Sequence, residues 1–109
     1  GHNYALLVTV EGPLDPETSM VVNLNVLKRL LRQEIVARLD HTHLNHQVPF
    51  FAQHLPTLEN LCLYCWYRLE PHIQALGLQM KHMRLVENET LWADYTGEPI
   101  PWLNIKEIT

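Results

Sequence analysis

Between Leu58 and Ile73 an apolar residue returns every three or four positions: Leu58, Leu61, Cys62, Cys65, Leu69, Ile73. That period belongs to an α-helix with an apolar stripe, and a stripe this long must be covered by something. Pro56-Thr57 opens the segment, and Thr57 is the natural N-cap of a helix over roughly 58–73. The covering surface is written in a second pattern. From Asn3 to Glu11 the residues alternate, with Tyr4, Leu6, Val8 and Val10 on one face and Asn3, Thr9 and Glu11 on the other. Alternation of this kind marks a half-buried strand. Residues 78–87 read as another strand, with Met83 and Leu85 on one face. Asn88-Glu89-Thr90 is a turn and residues 91–96 return, so the pair reads as a hairpin.

The segment between the first strand and the long helix is more varied. Gly12-Pro13-Leu14-Asp15-Pro16 punctuates a turn, and Met20 to Leu24 reads as a short extended piece. Asn25 is the expected N-cap of a helix over roughly 26–39, whose apolar positions are Leu27, Leu30, Leu31, Ile35 and Leu39. Residues 40–56 read as a loop. The order strand, helix, helix, strand, strand predicts an α+β fold, an antiparallel sheet with two helices packed on one face. Three strands would leave an edge prone to pairing with another chain, and a four-stranded sheet needs one more strand before Gly1.

Composition removes several function classes. The 109 residues suit one domain, and 47% of them are hydrophobic, enough for a core. Twelve acidic against eight basic residues, with no Lys/Arg run, point away from nucleic acid and anionic membranes. The apolar stretches are too short to span a bilayer. The start, Gly1-His2-Asn3-Tyr4, has neither the basic region nor the apolar region of a signal peptide. It also lacks an initiator Met, so residues are expected upstream. The expected compartment is a reducing cytoplasm.

Few residues could carry chemistry. His2 heads the first strand in register with Tyr4, Leu6 and Val8, so it reads either as a satisfied core histidine or as one ligand of a metal. Asp40-His41-Thr42-His43-Leu44-Asn45-His46 reads in three ways. It is a metal cluster, an Asp-His pair for proton transfer, or a polar helix end whose histidines suit the helix dipole. Glu87 closes the strand over 78–87 on the face of Met83 and Leu85. It either reaches water or grips a planar N–H edge through two parallel hydrogen bonds. Cys62 and Cys65 share the apolar stripe, which reads as core packing rather than redox or metal chemistry.

The ordered set of segments resembles the 6-pyruvoyl-tetrahydropterin synthase family, which includes 6-carboxy-tetrahydropterin synthases. The segments are Gly-His-Asn-Tyr at 1–4, Asp-Pro at 15–16, Met-Val-Val-Asn-Leu at 20–24, Leu-Asp-His-Thr-His-Leu-Asn at 39–45, Pro-Thr-Leu-Glu-Asn at 56–60 and Glu87. The likeness runs over residues 1–97 and leaves 98–109, with an exposed-looking Trp102, as a C-terminal tail. It implies a tunnelling fold, whose four-stranded antiparallel sheet carries a helix pair, assembled as a homohexamer of two trimers. It also implies an enzyme that acts on 7,8-dihydroneopterin triphosphate with zinc as Lewis acid. Position by position, the resemblance makes His2 a zinc ligand, Asp40 and His41 the proton-transfer pair, Glu87 the pterin anchor and Thr57 part of the pterin pocket. His43 and His46 match no functional position.

The departures from the family pattern carry expectations of their own. The family's first strand, with two further zinc histidines and a catalytic cysteine, has no counterpart in these residues. Cys62 and Cys65 lie on the wrong element to replace it. The chain is therefore expected to be inactive alone. Ser19 stands where the family usually has Gly, and Val26 where an Asp is common. The product, 6-pyruvoyl for tetrahydrobiopterin or 6-carboxy for queuosine, stays open. Two other readings stand beside the enzyme. One is a non-catalytic homologue that binds a pterin or only assembles. The other is a histidine-loop metal binder unrelated to pterins.

Overall fold

The structure, a computed structural model, describes residues 3–39 and 48–109. Among these, three strands form one antiparallel sheet in the order β1 (Ala5–Glu11), β2 (Gln79–Asn88), β3 (Leu91–Tyr95). The register sets Val8 opposite Met83 and Met83 opposite Tyr95; it sets Leu6 opposite Leu85 and Leu85 opposite Ala93. These residues make the inner face that the alternation predicted, with Met83 fully buried.

The long helix, α4 (Leu58–Ala75), lies under that face. The Thr57 hydroxyl accepts the Asn60 N–H at 3.1 Å, so the expected cap holds. The helix ends at Gly77, which takes a φ of +78° while the Leu78 N–H reaches back to the Ile73 carbonyl at 3.2 Å. This left-handed closure is one that glycine adopts without strain. The Cys62 thiol stands 3.8 Å from the Met83 carbonyl and 3.7 Å from that of Ala93, directly beneath the sheet.

One expectation about α4 was too narrow. Every residue from Leu61 to Trp66 is buried, not only the stripe. The sheet covers one side, and the other elements cover the opposite one. Phe51 meets Tyr64 with ring centroids 5.5 Å apart, and Tyr95 meets Trp66 at 5.0 Å. The helix is the centre of the molecule rather than an outer layer. Gly97 passes so close to Trp66 that a Cβ there would stand 3.1 Å from the ring.

The segment before α4 departs further from expectation. Met20 to Leu24 forms no strand. Met20 closes a loop in which the Asp15 N–H donates to its carbonyl at 2.9 Å, and Leu24 already begins α1 (Leu24–Leu31). The N-cap is Asn23, not Asn25, because the Asn23 side chain accepts the Asn25 N–H at 2.8 Å. Ser19 takes a φ of +58°, the backbone region that glycine enters freely and serine does not. The expected single helix over 26–39 is interrupted. After α1 the chain winds as a π-helix over Arg32–Val36 and then as a short helix, α2 (Ala37–Leu39). Within the expected loop, Pro49–Gln53 is a helical turn, α3, with Pro49 in its first turn and Phe50 and Phe51 buried. The tail is docked: Ile108 is buried, and a 3₁₀ turn spans Ile105–Glu107. No helix among the described residues is long and apolar enough to cross a membrane.

Candidate functional site

A cleft of about 1090 Å³ opens between the α1–π–α2 arm and one end of the sheet. The arm contributes Leu31, Ile35, Val36 and Leu39, and α4 contributes Leu58, Leu61 and Cys65. The sheet side is Tyr4, Leu6 and Leu85. The walls are therefore apolar, and polar side chains enter from Asn3, Tyr4 and Glu87. A wide apolar slot with a few convergent polar groups is the usual form of a small-molecule site.

Winding accounts for one wall. In a π-helix the hydrogen bonds run from i to i+5, so residues five apart come into line. Leu31 and Val36 are five apart, and both line the cleft. Ile35 beside them is buried and joins the arm to the core.

A bulge accounts for the acid. Val86 pairs with Trp92 and Asn88 with Leu91, so Glu87 is an extra residue in β2. Bulges of this kind re-aim a side chain at the end of a strand. Glu87 is half-buried beside Leu85 and faces into the cleft. Nothing in the sequence flags the bulge, which carries no glycine. The sequence had Glu87 on the right face for the right reason, but not the irregularity that holds it there.

Other expected site residues divide into two groups. His2, Asp40 and His41 lie outside the described residues, as do His43 and His46. Their chain neighbours are informative: Asn3, which follows His2, and Leu39, which precedes Asp40, both line the cleft. Thr57 is described and exposed, and its hydroxyl is engaged in capping α4. Its neighbours Pro56 and Leu58 are the ones that line the cleft. Among the described residues no three His, Cys, Asp or Glu side chains gather as a metal site.

The two cysteines are chemically quiet. Burial pushes the Cys62 thiol up to about 11, and burial raises Cys65 further. Burial thus favours the protonated thiol, the less nucleophilic form, at both positions. They are free thiols in the core, as the stripe implied.

Two other places hold polar groups. On the outer face of the sheet Arg84 grips Asp94 through two bonds of 2.7 and 3.0 Å, and His82 stands 2.9 Å from the same carboxylate. The Arg84 hydrogen bond holds the Asp94 carboxyl below its ordinary range. This cluster is exposed and faces away from the cleft. A second, smaller cleft of about 430 Å³ lies between α2, α3, α4 and the tail, lined in part by Arg38, Arg68 and Lys106. None of the expected site residues lines it, so the larger cleft is the candidate site.

The sequence and the fold are similar to those of known proteins. The family described as 6-pyruvoyl tetrahydropterin synthase matches residues 1–98. A 6-pyruvoyl tetrahydrobiopterin synthase of Poecilia reticulata is 48% identical over 99 residues, covering 90% of this chain and 65% of the relative. The Homo sapiens protein of that name is 39% identical over 98 residues, covering 90% and 66%. A putative 6-carboxy-5,6,7,8-tetrahydropterin synthase of Archaeoglobus fulgidus is 37% identical over 94 residues, covering 86% and 72%. The solved structure of Caenorhabditis elegans 6-pyruvoyl tetrahydropterin synthase superposes with a TM-score of 0.77 at 27% identity, covering 89% of this chain and 68% of that one. The chain spans about two thirds of the length of the first two of these relatives.

Proposed function

This chain belongs to the 6-pyruvoyl tetrahydropterin synthase family, and from that premise we propose that it is part of a zinc-dependent lyase acting on 7,8-dihydroneopterin triphosphate. The product is 6-pyruvoyl- or 6-carboxy-tetrahydropterin, with triphosphate lost. Relatives bearing both kinds of name match the chain, so the family alone does not choose between them.

The observation that carries this reading is Glu87 at the polar end of an apolar cleft. A pterin is a flat ring with an amino group and a ring N–H on one edge. The Glu87 carboxylate accepts both in parallel, and Leu31, Val36 and Leu58 hold the faces of the ring. Asp40 and His41, which follow cleft-lining Leu39, serve as the proton-transfer pair, the carboxylate orienting the imidazole. Zinc, when bound, supplies Lewis-acid chemistry at the substrate side chain. His2 would give one imidazole toward it beside Asn3. Among the described residues no three donors gather to complete that set. The enzyme works as a homohexamer in the cytoplasm on this reading, with no nucleic acid or membrane partner.

The test is neopterin binding by the 109-residue chain, followed by fluorescence, with Glu87→Gln as control. Losing the charged acceptor is expected to weaken binding roughly 10- to 100-fold. Equal binding by the two forms would sink the anchor assignment. Triphosphate release from dihydroneopterin triphosphate, measured on the protein with any residues its gene places before Gly1, then separates a catalyst from a homologue that only binds.

A further inference from the structure

The arm that carries Val36 is held from behind by the far end of the chain. We propose that residues 99–109 are a strap which, through Arg68, sets the winding of Arg32–Val36 and so positions Val36 on the cleft wall. The inference rests on the cleft being the pterin site.

The family match ends at residue 98, yet the residues after it are docked on the core. Ile108 is 5% exposed, and Ile100 and Leu103 pack, partly buried, against the core. Glu107 meets His54 at 3.2 Å, and the Trp102 ring lies 5.1 Å from the His54 ring, which anchors the strap beside α3. Arg68 on α4 then joins two partners. Its Nη1 donates to the Ile108 carbonyl at 3.2 Å, and its Nε stands 2.9 Å from Glu34 Oε2. The Nε–H is not aimed at that oxygen, so this is a charge pair rather than a hydrogen bond.

Glu34 is the one acid within the π-wound segment, and its side chain is only 14% exposed. Arg38 and His72 also approach it, each at 3.3 Å. One guanidinium therefore ties the strap to the segment that brings Leu31 and Val36 into line. A planar fork can face a carbonyl and a carboxylate at once; an ammonium at the end of a flexible stem cannot hold both in fixed geometry.

The segment has a discrete alternative. Rewound with ordinary i to i+4 bonds, it would turn everything after it by about 100°. Val36 would then leave the line of Leu31. The Arg68–Glu34 attraction favours the wide winding by holding Glu34 against α4. A two-state element biased by a distant contact is the physical basis of such coupling.

Three forms of the chain test this: the full chain, a chain ending at Glu98, and Arg68→Lys. Amide hydrogen exchange is read at residues 32–36 and, as an internal reference, at residues 83–86 of β2. Passing from one winding to the other breaks the segment's hydrogen bonds, so both variants, with the two windings closer in energy, should lose protection at 32–36 by about 5-fold or more, with β2 unchanged. Neopterin affinity should fall by a similar factor. Protection at 32–36 that is unchanged, or that falls only in step with β2, overturns the strap. If the shortened chain does not fold, Arg68→Lys decides alone. If the full chain binds no neopterin, the pterin reading fails, while the exchange comparison still judges the strap.

Discussion

The arm from Leu24 to Leu39 and the helix α4 begin from the same sequence signature and end as different objects. Both carry an apolar residue at every third or fourth position. In α4 the stretch Leu61–Trp66 is buried on every side, and the helix stays α-helical over 18 residues even past Pro71. The arm is packed from one side only. No residue of α1 is buried, and in the stretch that follows it Ile35 alone is. Little packing enforces one register there, so the pull of Arg68 on Glu34 is enough to favour the wide winding, and the apolar side chains left over line a cleft. The same periodicity thus builds a core where it is enclosed and a binding wall where it is not.

Substitutions in the two helices should separate accordingly. The largest effect belongs to α4. Leu69 is fully buried, and Leu69→Ala should cost about 2–5 kcal/mol, read as a drop in the urea midpoint. A loss below about 1 kcal/mol would mean that the helix is not the enclosed centre described above.

Next comes the residue that joins the two helices. Arg68→Met removes the fork between Glu34 and the Ile108 carbonyl and should cost about 1–3 kcal/mol, since Glu34 is left largely shielded from water with fewer partners. A neutral result would show that Arg38 and His72 suffice for Glu34.

Alkaline pH should act on α4 more gently. The Cys62 thiol titrates near 9 when unfolded and is pushed up to about 11 in the fold by burial. The folded state therefore holds its proton more tightly, and that contribution is complete below pH 9 and lost as pH rises toward 11. Burial raises Cys65 and Tyr95 as well, which acts in the same direction. Urea midpoints should fall across pH 9–11, and Cys62→Ala should flatten part of that slope. An unchanged slope would place the effect on the other groups.

The smallest effect on stability lies on the arm. Val36 is 52% exposed, so Val36→Ala should change stability by less than about 0.5 kcal/mol while weakening neopterin binding. A large stability loss would mean that the arm is enclosed after all, and the contrast with α4 would disappear.

Much of the fold could be read in advance because two periods do not imitate each other. Alternation at Leu6, Val8 and Val10 and at Met83 and Leu85 put the correct residues on the inner face, although Tyr4, expected with them, is exposed, and Thr57 marked the start of α4. Reading failed where local signals compete. Asn23 and Asn25 are both good caps, and only the observed bond chooses Asn23. α3 is five residues long, too short to show a period, although Pro49 in its first turn is a cue that was available. The π winding leaves no mark in the sequence, because the contacts around Glu34 come from residues distant along the chain. Within the candidate site, Glu87 was found by its place on an apolar face. The enclosure by Val36 and Leu58 was not, because it depends on how two helices and a bulge meet in space. Ser19, flagged where the family usually has glycine, does adopt the conformation glycine would suit.

Cys62 and Cys65 have one more use. Each thiol is about 1% exposed, and neither is joined in a disulfide. Cys62 lies directly beneath the sheet, so a maleimide added to the intact protein cannot alkylate it until α4 leaves the sheet. Mass added over time then records how often the core opens, with the natural sequence serving as its own clock.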